Sequence, residues 1–69
     1  MKSREALARN LRRLRQERGM SQEDLADKAG LDRTYISSLE RCRYGATVDV
    51  LDKLAKALGS GAADLLSGP

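Results

Sequence analysis

Residues 21–41, which read SQEDLADKAGLDRTYISSLER, decide how this chain folds. Gly30 predicts a tight turn in the middle of the stretch, because glycine adopts a left-handed conformation without strain. Ser21 and Asp32 are typical N-cap residues, and each stands at the start of a short helical pattern. Ala26 is small enough to let two helices cross closely. The stretch therefore predicts two short helices joined by a turn.

The second of these helices has an apolar side and a polar side. Ile36 and Leu39, three residues apart, predict the side that packs against the core. The opposite side carries arginines and hydroxyl groups, which can pair with guanine edges and with several bases in a DNA major groove. The predicted base-contacting residues are Arg33, Thr34, Ser37 and Ser38. Ser37 suits a phosphate equally well, and an ordinary solvated helix face is the alternative for the whole set.

The rest of the chain also predicts helices. Leu7, Leu11 and Leu14 recur at helical spacing and indicate a first helix over residues 3–18. A fourth helix follows Thr47 and ends at Gly59, and a short last helix is predicted over residues 62–66. A chain of 69 residues holds one small core. The predicted fold class is all-α, a compact five-helix bundle forming one domain over residues 1–69.

Basic charge is concentrated at the N-terminal end. The chain has a formal net charge of +3, and residues 1–18 hold seven lysines and arginines against two glutamates. The remaining residues are therefore acidic overall. A basic first helix beside a basic recognition helix is typical of a surface that binds phosphates. For these N-terminal charges taken alone, a solvated surface without a partner remains the alternative.

Composition argues against several classes of protein. The chain has no histidine, the side chain most suited to acid–base catalysis near neutral pH. Its one cysteine, Cys42, excludes an internal disulfide and fits a reducing compartment. No apolar run approaches the length of a membrane span. The sequence therefore predicts no enzyme activity, no metal or other cofactor, no small-molecule substrate, no membrane association and a cytoplasmic location.

Four segments give the chain a resemblance to a known family. They are GMSQEDLA at residues 19–26, GL at 30–31, YIS at 35–37 and LER at 39–41. Together they resemble the Cro/C1-type (XRE) helix-turn-helix family, and the resemblance extends over residues 7–66. Within it, LDRTYIS at residues 31–37 is similar to the controller proteins of restriction–modification systems. The resemblance implies a lambda-repressor-like DNA-binding domain, with its helix-turn-helix over residues 21–41.

The resemblance also implies roles for matching positions. Gln22 would bind a backbone phosphate and brace Arg33. Arg15 and Glu40 match a largely buried salt bridge between the first and third helices, a structural pair that orients the helices. The family's base-reading positions fall on Arg33, Thr34 and Ser38. Its phosphate-contacting positions fall on Arg41, Arg43 and Tyr44.

The chain departs from the family pattern at three places. Cys42 stands where glycine or asparagine is common, and cysteine tolerates a positive φ less well, so we expect a different turn or stored strain there. Tyr44 and Gly45 replace a polar or basic turn, which predicts a shifted phosphate-contacting loop. Smaller residues at positions 60–62 predict a weak dimer interface near the C-terminal end.

The function that these observations predict is a regulator of transcription. We expect it to bind double-stranded DNA sequence-specifically, as a homodimer on a two-fold symmetric operator. Leu65 and Leu66 are the candidates for the dimer interface, with closure of the core as their alternative role. An antitoxin that binds a protein toxin as well as DNA is the alternative function. Repression and activation both fit, because the outcome depends on where the operator lies relative to a promoter.

Overall fold

The computed structural model describes residues 2–68, and this range contains five α-helices and no strand. The helices are α1 Lys2–Glu17, α2 Gln22–Ala29, α3 Arg33–Glu40, α4 Val48–Leu58 and α5 Ala62–Leu66. They fold into a body of 26 × 21 × 21 Å. The predicted all-α five-helix bundle is confirmed, and α1 begins and ends one residue earlier than its apolar spacing predicts.

Short polar side chains set where the helices begin. Ser21 and Asp24 form a capping box, in which the Ser21 N–H donates to Asp24 Oδ2 and the Asp24 N–H donates to Ser21 Oγ, each at 3.0 Å. The hydrogen bond from the Ser21 backbone holds the pKa of the Asp24 carboxyl below its usual range. The box is therefore complete when Asp24 is ionised, and it weakens as the pH falls through that lowered pKa. Asp32 Oδ2 caps α3 by accepting from the Thr34 N–H at 3.2 Å.

The core is built from aliphatic side chains of all five helices. Six of them have no solvent exposure: Leu11, Leu25, Ile36, Leu39, Leu54 and Leu65. Because α2 and α3 both contribute to this core, their crossing is fixed by apolar packing. The apolar side of α3 faces inward, and so its polar side is left facing solvent.

The two candidates for the dimer interface, Leu65 and Leu66, differ in their exposure in α5. Leu65 is fully buried and closes the core, so its alternative role is the one observed, and it offers no surface to a partner. Leu66 is 43% exposed. Asn10 of α1, which is itself buried, donates through Nδ2 to the carbonyl oxygens of Leu65 at 3.0 Å and Ser67 at 2.8 Å. This side chain therefore caps the end of α5 and ties it to α1.

Candidate nucleic-acid interface

The outer face of α3 carries the residues predicted to contact bases. Arg33 and Thr34 are exposed in the first turn, and Ser37 and Ser38 are partly exposed in the next. Ile36 and Leu39, on the opposite side, have no exposure. Residues three and four apart share a helix face, so these polar side chains form one continuous surface. The helix is held against the core by its apolar side.

The connection between α3 and α4 carries the predicted phosphate contacts. Arg41, Arg43 and Tyr44 are all exposed, and Tyr44 is 57% exposed. The ring of Tyr44 lies against the ring of Tyr35 of α3, with centroids 6.4 Å apart and planes tilted by 46°. Tilted aromatic pairs of this separation attract each other. Tyr35 therefore orients the loop side chain, a contact that the sequence analysis missed.

Cys42 takes the left-handed conformation that glycine or asparagine would adopt more easily. Its φ is 59°, and it is the one non-glycine residue with positive φ among residues 2–68. The turn thus keeps the shape expected for a helix end, and the cost is local backbone strain. Directly after it, the Arg43 N–H donates to the carbonyl of Ser38 at 2.9 Å. The thiol donates to the carbonyl oxygen of Arg4 at 3.6 Å, so the turn is also fastened to α1.

Glu40, the last residue of α3, forms the ion pair with Arg15 that the resemblance implies. Arg15 Nε lies 2.7 Å from Glu40 Oε2, and Arg15 Nη2 lies 3.0 Å from Oε1. The two side chains are 12% and 2% exposed. The hydrogen bonds to Glu40 raise the pKa of the Arg15 guanidinium above its ordinary value. Arg15 Nη1 also donates to the Met20 carbonyl at 2.8 Å, so this pair joins α1, α3 and the loop before α2.

Two further side chains reach Glu40. Gln22 Nε2, at the start of α2, donates to Glu40 Oε1 at 3.2 Å. No hydrogen bond between Gln22 and Arg33 is found among residues 2–68, so the expectation that Gln22 braces Arg33 stays a prediction. Arg12 of α1, to which the sequence analysis gave no role, donates through Nη2 to the Glu40 carbonyl oxygen at 2.9 Å. Glu40 is therefore the point at which α1, α2 and α3 are tied together.

Neither a cluster of metal-binding side chains nor a membrane-spanning helix is found in the part of the chain that the structure describes. Within residues 2–68, no three His, Cys, Asp or Glu side chains are grouped so that they could hold a metal ion. None of the helices in this range is long and apolar enough to cross a membrane.

In comparisons with known proteins, the chain matches one family model and is similar to a hypothetical transcription factor. A family model described as Helix-turn-helix matches residues 11–65. A hypothetical transcription factor of Neisseria meningitidis serogroup B is 47% identical over 66 residues, which make up 96% of this chain and 62% of that protein. This chain therefore spans less than two thirds of that relative's length. The crystal structure of the hypothetical transcription factor NHTF from Neisseria has a TM-score of 0.93 at 46% identity, covering 97% of this chain and 77% of that one.

A control protein and a restriction-modification controller protein are also similar. Control protein C.SmaI of Serratia marcescens is 45% identical over 67 residues, which cover 97% of this chain and 80% of that protein. The restriction-modification controller protein C.Esp1396I has been solved as a tetramer in complex with its natural 35 base-pair operator. That structure has a TM-score of 0.82 and 37% identity, covering 90% of this chain and 82% of that one.

Proposed function

The chain belongs to the Cro/C1-type (XRE) helix-turn-helix family, and on that basis we propose that it is a transcriptional regulator that binds double-stranded DNA sequence-specifically. The observation that carries this proposal is the outer face of α3, where arginine, threonine and serine side chains stand exposed on a helix anchored by buried Ile36 and Leu39. The relatives described above are named as a transcription factor and as control proteins. A regulator is therefore proposed ahead of an antitoxin, and no enzyme activity is proposed. Its place of action would be the cytoplasm.

In the proposed complex, α3 lies in the major groove with its first turn deepest. Arg33 makes a bidentate contact with a guanine, while Thr34, Ser37 and Ser38 reach neighbouring bases. Gln22 donates one amide hydrogen to Glu40, and its second amide hydrogen is directed to a backbone phosphate. Arg41, Arg43 and Tyr44 hold phosphates beside the groove, which fixes the register of α3 on the duplex.

The phosphate contacts give a prediction about salt. Arg41→Ala and Arg43→Ala should each weaken binding to all DNA sequences almost equally, because a phosphate carries no sequence information. Each variant should lower the slope of log affinity against log salt concentration by about one unit. Fluorescence anisotropy at several salt concentrations measures this slope. Lys53→Ala removes the same charge from the exposed side of α4 and should leave it unchanged. A variant that loses affinity for one sequence only would instead have lost a base contact.

We further propose that the active species is a homodimer. A domain of this size buries little surface on DNA, and two half-sites roughly add their contact energies. The tetramer of C.Esp1396I on its operator supports self-association in this family. Leu66 and Val48, which is 82% exposed, line one groove together with Leu7 and Leu51, and Arg4 and Gly45 also line it. The proposed contact between the two copies is limited to the aliphatic side chains of this groove, and neither Arg4 nor Leu65 has a part in it.

Leu66→Glu should weaken association much more than folding. Leu66 is partly exposed, so its replacement by a charged residue leaves the core intact, whereas at a dimer contact it would bury an unpaired carboxylate. Sedimentation equilibrium should show a shift toward monomer, with little change in the melting temperature of the monomer. Lys53→Glu, which adds a carboxylate elsewhere, should not shift the equilibrium. Unchanged association in Leu66→Glu would remove this groove from the interface.

The experiment that tests the proposed function is selection of binding sites from random double-stranded DNA. We expect an inverted repeat whose half-sites are about one helical turn apart, ~34 Å between centres. An enriched half-site without a partner would contradict the dimer, and the absence of any enriched sequence would contradict sequence-specific binding.

A further inference from the structure

Arg4, in the first turn of α1, lies against the connection between α3 and α4. The thiol of Cys42 donates to the Arg4 carbonyl oxygen at 3.6 Å. A methyl group added at Gly45 would lie 3.3 Å from Arg4 Nε and 3.8 Å from its Cγ. The guanidinium end of Arg4 therefore packs over Gly45, which follows Arg43 and Tyr44 in the chain. The absence of a side chain at Gly45 leaves the space that Arg4 occupies.

Folding alone does not explain a cation at this position. Arg4 is exposed, and it has no carboxylate within 4.0 Å among residues 2–68. It also stands at the N-terminal end of α1, where the helix dipole disfavours positive charge. By contrast, Arg12, Arg13 and Arg15 farther along the same helix all pair with glutamates. The charge of Arg4 is thus left available to a ligand from outside the domain.

Two of the three departures from the family pattern lie against Arg4. Cys42 holds the main chain of Arg4, and Gly45 makes room for its side chain. Tyr44, the residue before Gly45 in the chain, is also exposed. We propose that Arg4 is a further phosphate-contacting residue, which acts with Arg43 and Tyr44 as one anion-binding surface. Cys42 and Gly45 are its positioning residues. This inference rests on the proposed function, because the phosphates are those of the DNA backbone.

A phosphate, rather than a base edge, is the partner that the placement favours. Arg4 lies in α1 and packs against the loop after α3. The proposed base-reading surface lies at the other end of α3, at its start. A guanidinium presents parallel N–H groups that match two phosphate oxygens. Its contribution should therefore be the same for every DNA sequence and should depend strongly on salt.

The test compares Arg4→Gln with Lys53→Gln. Both variants remove one exposed cation for which no ion pair is found among the described residues, and both keep a polar side chain. Anisotropy titrations use the duplex obtained by selection and a shuffled duplex of the same length, at several KCl concentrations. Arg4→Gln should lower the salt slope by about one unit on both duplexes, and Lys53→Gln should leave it unchanged.

A second pair of variants tests the positioning role of Gly45. Gly45→Val places a branched side chain where the Arg4 side chain lies, so it should lower the slope in the parent protein. The same substitution should have little further effect when Arg4 is already glutamine. Thermal melting of each variant separates this result from unfolding, because the slope is compared only among variants that are folded at the assay temperature.

Three results would overturn the inference. Equal slopes for Arg4→Gln and Lys53→Gln, alongside a reduced slope for Arg41→Ala, would remove Arg4 and leave the proposed function standing. Loss of affinity for the selected duplex alone would make Arg4 a base-reading residue. If the parent protein bound neither duplex, the inference and the proposed function would both fail.

Discussion

Glu40→Ala is expected to unfold the domain or to lower its melting temperature by more than about 10 °C. The carboxylate, 2% exposed, accepts two hydrogen bonds from Arg15 and one from Gln22. Removing it leaves the Arg15 guanidinium, 12% exposed, without its partner. Breaking a buried ion pair in this way costs about 3–5 kcal/mol. A domain this small gains only about 3–5 kcal/mol from its core, so the loss is comparable with its whole stability.

The measurement for Glu40→Ala is thermal denaturation followed by circular dichroism in the absence of DNA. Arg13→Ala is the matched control, because Arg13 pairs with Glu17 on the surface, where both side chains are half exposed, and its other contact is a long hydrogen bond of 3.4 Å to Asn10 Oδ1. It should melt almost like the parent protein. Arg12→Ala is unsuitable as a control, since Arg12 donates to the Glu40 carbonyl. A Glu40→Ala protein with the melting temperature of the parent would show that the pair contributes nothing to folding.

Arg33→Ala is expected to relax base preference at one position in each half-site. A bidentate contact between arginine and guanine discriminates against other bases by about 1–3 kcal/mol. Because Arg33 is exposed at the start of α3, its removal should not disturb the fold. Affinities for the selected operator and for operators substituted at each position measure the effect. The parent should show a penalty at the position read by Arg33, and the variant should show little or none.

Arg41→Ala is the control for this experiment, because a phosphate contact should weaken all of these duplexes by the same factor. If Arg33→Ala also weakened all duplexes equally, Arg33 would belong with the phosphate contacts. The start of α3 would then not be the part of the helix that reads the sequence.

Features of the fold that depend on near neighbours in the chain were predictable from the sequence. Ser21 is predicted as the N-cap of α2 from its residue type and position, and the structure contains this cap, completed by Asp24 three residues later. Gly30 similarly predicts the left-handed turn that ends α2, where its φ is 69°. The apolar spacing of each helix predicts which of its sides faces the core. These features follow from chemistry within one or two helical turns.

Contacts between residues far apart in the chain were the part that sequence patterns missed. Leu65 and Leu66 are adjacent in a short helix, and which of them is buried depends on how that helix packs, with its end bonded to Asn10 of α1, 55 residues away in the chain from Leu65. Gln22 turns toward Glu40, which lies 18 residues away in the chain. Arg4 and Cys42 are 38 residues apart. No local periodicity encodes such pairs, since they depend on how whole helices pack.

The central claim is that two copies of this chain read a two-fold symmetric DNA site through α3. Its most direct test is a titration of the selected operator, and of a shuffled duplex of equal length, with the purified protein at physiological salt. The account predicts a stoichiometry of two chains per operator and an affinity at least about 1,000-fold greater than for the shuffled duplex. Equal affinities for the two duplexes would contradict it.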